Sequence, residues 1–372
     1  MLDRVQLVRA LRALENTRSA ESSLSQGQAQ ALYRAASARQ ADVLQLGVES
    51  AGMGWYGSWD QKPPVAAQPG TYAVRAVDGS YVYGDRHAPT TCALINYGDV
   101  LFSYGEASAM AHRSYPELIP AIDLHSPGIP ALQIIEEQMA WGELKALLAR
   151  SYPSTGSGRA VVCAPHLLNL MDGSLFWWQR NLVRDGATLE RLSALLRTAQ
   201  ESRCLYAAYV SAPSGREVVT LLQKACTAGL LPEIWHAQDS AASLAYMNDS
   251  QFYRLVLPIG GYSPCFYVNS FPWFQYDQAI RPCFFYLKLP QECARIEVPV
   301  WIAGDATLCA WIAACAYDQC RKGGGYPVAL AHAHVQAHIS AQDRLLFAQL
   351  ASLSGRSDGQ SPKLQRKHLL GV

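Results

Sequence analysis

The tripeptide Asp-Gly-Ser occurs twice, at 78–80 and 172–174, each time closing an apolar stretch: TYAVRAV before the first and LLNLM before the second. Such a run predicts a β-strand, and the Asp-Gly that follows predicts a carboxylate presented where the backbone turns. One Asp-Gly-Ser is an ordinary turn. Two of them, with histidines near residue 334, point to acidic groups converging on a divalent cation. Hard cations take oxygen ligands, and metal-assisted phosphodiester hydrolysis keeps positions open for water and phosphate.

Further donors lie between and after the two motifs. LQIIEEQMAWGELKALLARS reads as a helix over about 130–150 and offers Glu136, Glu137 and Glu143. Glu143 is near the helix end that leads to the second motif, and Glu137 lies six residues earlier; the ordinary reading of either is a solvated helix-face glutamate. His332, His334 and His338 cluster in the last helical segment, where His334 and His338, one turn apart, share a face. Each is ordinarily a packed or surface histidine. Beside carboxylates, an imidazole serves as a further metal ligand or a charge partner for phosphate, and it shifts preference from Mg²⁺ toward Mn²⁺. The spacing is not His-Glu-x-x-His, so a zinc-protease site is excluded. Tyr326, before Pro327, either packs on the core or stacks on a base. Asp239 in HAQDS is one more candidate acid, and Arg295 and Glu297 alternate along ARIEVPVWI as an intramolecular pair. There is no P-loop, dinucleotide-binding glycine fingerprint or Gly-x-Ser-x-Gly elbow, which argues against ATP hydrolysis by the chain itself.

In 372 residues, half are hydrophobic and 16% charged, enough for a large core, and a net charge of +1 provides no global basic field for a polyanion. The ten cysteines form no Cys-x-x-Cys pair, and several sit in apolar segments. Reduced, buried thiols in a cytoplasmic protein are therefore expected, without structural zinc. The amphipathic start, with its acids, reads as neither signal nor transit peptide, and no apolar run is long enough to cross a bilayer.

The elements that must carry these groups alternate. Residues 3–48 read as two helices around a polar turn at 19–28, with Leu32, Ala36, Ala41, Leu44 and Leu46 on one face of the second. Residues 52–70 read as a Gly/Pro/Trp-rich connector, followed by strands at about 71–83 and 91–104, the helix, and a strand ending at Asp172. A helix at about 187–202, the strand CLYAAYVS, a helix at about 215–228, two β segments (PCFFYLKLP and ARIEVPVWI), a helix at 305–321 and one long final helix from Val328 complete a layered α/β pattern. The implied organisation is an N-terminal helical arm (1–50) for packing or dimer contact, a catalytic domain (51–353) and a polar, basic, disordered tail (354–372).

Taken in order, VDGSYV, ELKALL, LLNLMDGSL, YVSAPSGREVVTLL, YLKLPQECARIEVPVWI and GGGYPVALAHAHVQAHISAQDR resemble the NurA family of nucleases over about residues 72–350. The most specific block has Gly-Tyr-Pro, then a helix with Ala-His, the histidine eight residues after the tyrosine. The resemblance implies a ribonuclease-H-like mixed sheet flanked by helices, a homodimer, and Mn²⁺-dependent cleavage of DNA (Mg²⁺ as the alternative, one or two ions). It also implies 5′ to 3′ exonuclease and single-strand endonuclease activity in double-strand-break end resection with a HerA-type hexameric ATPase. The implied metal ligands are Asp78, Glu143 (Glu137 as the alternative), Asp172 and His334, with Tyr326 positioning the strand end. The chain departs from the family in a longer segment between Glu143 and Asp172, in Gln238 where a basic residue is usual, and in His332 where an acid is usual. Two rival readings remain: a non-catalytic DNA-binding scaffold subunit of a HerA-like complex, and a nuclease acting on RNA.

Overall fold

A computed structural model describes residues 24–60, 64–83, 92–105, 108–124, 129–149, 166–175, 186–231, 244, 247–269, 278 and 281–354. Nine strands form one mixed sheet: β1 (Met53–Tyr56), β2 (Tyr72–Val82), β3 (Cys92–Tyr104), β4 (Ala109–Pro120), β5 (Leu167–Asp172), β6 (Leu205–Val210), β7 (Cys265–Val268), β8 (Pro282–Lys288) and β9 (Cys293–Pro299). Their spatial order is β1-β7-β8-β9-β6-β5-β2-β3-β4. The pairs β2–β5 and β5–β6 are parallel, and the other pairs are antiparallel. Parallel pairing needs both faces covered, and the central strands β5 and β6 are accordingly mostly apolar, as in LLNLM and LYAAYV.

Ten helices are described: α1 (Gln26–Ala38), α2 (Gln40–Ala51), α3 (Ala131–Leu148), α4 (Gly186–Glu201), α5 (Glu217–Thr227), α6 (Asp249–Val256), α7 (Val300–Ala303), α8 (Ala306–Lys322), α9 (Val328–Ala337) and α10 (Ala341–Ser354). Helices α3 and α4 cover one face of β2, β5 and β6, burying Leu144, Leu147, Leu192 and Leu196 against Val77, Met171 and Ala208. Helices α8 and α9 cover the other face, burying Ile312, Cys315, Ala329 and Ala333 against Val74, Ala76, Leu170 and Ile296.

Several elements differ from the sequence expectations. The 52–70 connector contains β1, paired with β7, and its Trp59 is fully buried between Tyr33, Trp55 and Phe266. Strand β4 has no alternating signature. It is an edge strand paired only to β3, and an edge tolerates Pro116 and Pro120 because the missing N–H groups are not needed by a second neighbour. The second N-terminal helix is two helices broken at Arg39; Leu32, Ala36 and Val43 are buried, whereas Ala41 is exposed. Residues 24–51 share one apolar cluster with α5, α6, Phe266 and Phe284, so this part of the expected arm is built into the domain. The final helix is also two, because His338 is extended (φ −57°, ψ 129°) and Ser340 and Asp343 cap the start of α10. Residues 1–23, the segment YPSTGSGR, Gln238, Asp239 and the 355–372 tail lie outside the described residues.

Glycine at 98 sets how closely α9 approaches the sheet. A Cβ there would lie 2.3 Å from the Ala333 carbonyl oxygen and 2.4 Å from the Ala337 nitrogen, both backbone atoms with no flexible side chain to yield. Gly98→Ala is therefore expected to destabilise the fold by about 1–3 kcal/mol through overpacking, or more if α9 cannot shift. Urea unfolding of the two proteins measures this, and an unchanged midpoint would contradict the close approach.

Candidate active site

The two Asp-Gly-Ser motifs are neighbours in the sheet but play different backbone roles. Asp172 is the last residue of β5 and is exposed; Gly173 then turns the chain with φ +84°. Asp78, in contrast, lies within β2, opposite Gly98 of β3, and the strand continues to Val82, so the expected strand end and turn at the first motif are corrected. The β2–β5 register pairs Val74 with Leu168 and Ala76 with Leu170. Two residues further on, the same register sets Asp78 beside Asp172, where β5 stops and leaves β2 open on that side.

Gly79 does a different job from a turn. A Cβ there would meet Met139 Cγ at 2.6 Å and Glu143 Oε1 at 2.7 Å, so the glycine leaves the room against β2 that these two α3 side chains occupy. The Gly79 N–H donates to carboxylates of both Glu143 and Asp78. Burial pushes the Glu143 carboxyl up to about 8, with the negative charges of Asp78 and Asp172 adding to the shift and the Gly79 N–H opposing it. Asp78 is also raised, first by burial; the hydrogen bond and charge of His334 oppose this, and Asp172 again adds to it. Asp172 thus acts on the charge of both Asp78 and Glu143, and Asp78 on that of Glu143.

His334 reaches the cluster from the opposite face, its Nδ1 2.9 Å from Asp78 Oδ2, and its side chain is 80% exposed. Its helix is held at that height by the Gly98 approach and by its last carbonyls: Asn96 Nδ2 donates to Ala337 O at 2.9 Å, and the Ser80 hydroxyl donates to the same oxygen. Tyr326, just before α9, packs edge-on against Tyr209 with ring centroids 5.6 Å apart, and Tyr209 is the register partner of Asp172. Burial and then the Asp172 carboxylate, with which it hydrogen-bonds, push the Tyr326 hydroxyl well above its usual range. Tyr326 therefore packs on the core, the first of the two readings posed above, and its hydroxyl also meets Asp172. The second motif is tethered likewise, since Ser174 Oγ and Leu175 N both donate to Glu297, which also accepts from Arg295 Nε at 2.7 Å.

The other candidates lie elsewhere. Glu136 faces Tyr81, and Glu143 is the helix glutamate on whose carboxyl the charges of Asp78 and Asp172 act. His332 packs edge-on against Phe102, and His338 ends α9 instead of sharing a helical face with His334. Sequence reading missed Gly79, Ser80, Asn96 and Gly98 as site-building residues. The motif contained the first two, but only the close helix approaches reveal their use. As placed, no group of three or more His, Cys, Asp and Glu among the described residues could hold a metal ion. The donor chemistry nevertheless fits a hard or borderline cation: oxygen donors with one imidazole, and a buried carboxylate that a cation would return to its ionised form.

The NurA domain family model matches residues 72–339, more than half of the chain. The chain belongs to the NurA family. No curated protein matches it. Among solved structures, this NurA-family chain is similar to a crystal structure of NurA bound to dAMP and manganese, at 13% identity, covering 98% of this chain and 100% of that one with a TM-score of 0.40. It is also similar to NurA with manganese (13% identity, 86% and 96% covered, TM-score 0.37) and to a further NurA structure (15%, 96% and 99%, TM-score 0.39).

A carboxyl whose folded-state pKa is raised binds its proton more tightly in the folded protein, so stability falls as pH rises from the unfolded value near 4.5 towards about 8. In EDTA, Glu143→Gln is expected to be more stable than the parent at pH 8 and to lose most of that advantage by pH 5. Thermal melts at the two pH values check this; an advantage that does not change with pH would show that Glu143 is not held protonated.

Proposed function

We propose that the chain is a divalent-metal-dependent DNA nuclease of the NurA type, with Asp78, Glu143, Asp172 and His334 as the metal-binding set and Mn²⁺ as the favoured ion. The observation that carries this reading is the convergence of Asp78, Glu143 and Asp172 where β5 ends, close enough for Asp172 to act on the other two and for Asp78 to act on Glu143. Like charges gathered in a half-buried pocket are costly without a cation, and a structural role does not require them. When bound, a divalent ion supplies a water acidic enough to attack near neutral pH and positive charge for the leaving oxygen. Asp78 and Asp172 would hold it from adjacent strands, and Glu143 would complete the set once its proton is displaced. His334 orients Asp78 through Nδ1, and Tyr326 offers its hydroxyl beside Asp172 to position the strand end.

The finer parts of the reading rest on the family: 5′ to 3′ exonuclease and single-strand endonuclease activity, end resection with a HerA-type hexameric ATPase, and a homodimer. The strand run β4-β3-β2-β5-β6, antiparallel across its first three members and parallel across its last three, supports the ribonuclease-H-like description. The nine described cysteines, all free and mostly buried, support a reducing, cytoplasmic setting, and no helix among the described residues is long and apolar enough to cross a membrane. The rival, a DNA-binding scaffold subunit, is favoured by one observation: the described side chains as placed do not close a metal shell.

Two measurements decide between them. Labelled duplex and single-stranded DNA should be digested with Mn²⁺ and not with EDTA. His334→Ala should lower the rate roughly 10- to 100-fold, as loss of a metal ligand's supporting partner does, and Asp78→Ala should lower it further. Calorimetric titration with Mn²⁺ should show binding that Asp78→Ala removes. Undiminished digestion by Asp78→Ala would refute the site, and absence of Mn²⁺ binding in the parent protein would favour the scaffold.

A further inference from the structure

On the α3 face of the sheet, away from Glu143, a cavity of about 650 Å³ opens between α3, β3, β4 and α4. Its size falls within the roughly 300–1,000 Å³ of small-ligand pockets. Four cationic side chains line it, Arg75, Arg113, Lys145 and Arg191, against one acid, Glu117. Behind them the fully buried Asp99 takes both arginines: Arg75 donates through Nε and Nη2 at 3.0 and 2.8 Å, and Arg113 through Nε and Nη2 at 3.0 and 2.6 Å. Arg75 and Arg113 together balance Asp99 and Glu117, so the surplus positive charge of the wall comes from its other two cations. Lys145 and Arg191 supply it from exposed positions on two helices.

Flat rings share the same wall. The Arg191 guanidinium lies 4.9 Å from the Trp141 ring centroid, and that of Arg113 lies 4.7 Å from Tyr115. Guanidiniums stacked on aromatic rings, together with a net positive charge, are the surface that a phosphate attached to a planar base selects. Residues 138, 141, 142, 145 and 146 of the cavity fall on one side of α3, well round the helix from Glu143; Tyr97, which feels the Glu143 charge, is where the cavity borders the carboxylate site.

We propose that this cavity is a nucleotide-binding site distinct from the carboxylate cluster, taking the phosphate against Arg113, Lys145 and Arg191 and the base against Trp141. The bound unit is either a free mononucleotide or one nucleotide of a strand; the chemistry recognised is the same. It stands independently of the nuclease reading, since it needs no metal and no cleavage.

The test is equilibrium binding of dAMP, inorganic phosphate and a short 5′-phosphorylated oligonucleotide to the full chain in EDTA, by calorimetry. Saturable binding of dAMP or the oligonucleotide is expected, tighter than that of phosphate alone, and whichever of the two binds more tightly identifies the source. The double variant K145E/R191E, both positions exposed, should weaken it at least tenfold, and Trp141→Ala should weaken dAMP more than phosphate. Asp78→Asn should leave it within twofold. No binding of any probe would overturn the proposal, as would loss in Asp78→Asn with retention in K145E/R191E. Circular dichroism on each variant separates lost binding from lost folding.

Discussion

Like charge held at close range is the constraint around which this part of the fold is arranged. Asp78, Asp172 and Glu143 come from two strands and a helix separated by long stretches of chain, and the negative charges of Asp78 and Asp172 raise the cost of ionising Glu143, as that of Asp172 does for Asp78. Such an arrangement persists only if the surrounding structure is rigid enough to hold it. Here the rigidity comes from the centre of a nine-stranded sheet covered on both faces, and from side chains that tie helix ends and turns to the strands.

Each Asp-Gly-Ser residue contributes separately to that rigidity. At 78–80 the aspartate supplies the carboxylate, the glycine leaves room for the Met139 and Glu143 side chains, and the serine caps the end of α9. At 172–174 the aspartate again supplies the carboxylate, the glycine turns the backbone with a positive φ, and the serine anchors to Glu297. Identical tripeptides therefore do different backbone work, because one lies inside a strand and the other ends one. Gly98, directly across from Asp78, completes the arrangement by admitting α9 and with it His334.

Charge is managed in opposite ways at two places along β2. At Asp78 and its neighbour Asp172 acids are concentrated, with His334 paired to Asp78. At Asp99, opposite Val77 and one residue pair along, a buried acid is outnumbered by the guanidiniums of Arg75 and Arg113. A sheet with excess negative charge at one point and excess positive charge at another is suited to a phosphodiester ligand, whose charge a cation must bridge at the first and which the second attracts directly.

Most strands, the flanking helices and the acids Asp78 and Asp172 were legible because apolar runs ending in Asp-Gly carry both a period and a punctuation mark. Edge strand β4 was not legible, since pairing on one side only relaxes the alternation that marks a strand, and β1 was hidden in a Gly/Trp-rich stretch whose burial depends on partners more than 200 residues away. The split of the last helix rested on a Ser340–Asp343 cap inside an otherwise helical pattern. The sequence by itself determined which residue types were on hand and which of them stood at the ends of apolar segments. Only the tertiary structure decided which acids meet, that Glu143 joins them, and that Asp99 binds two arginines, because strand register and close helix approach are set by contacts between distant segments, which leave no local periodicity to read.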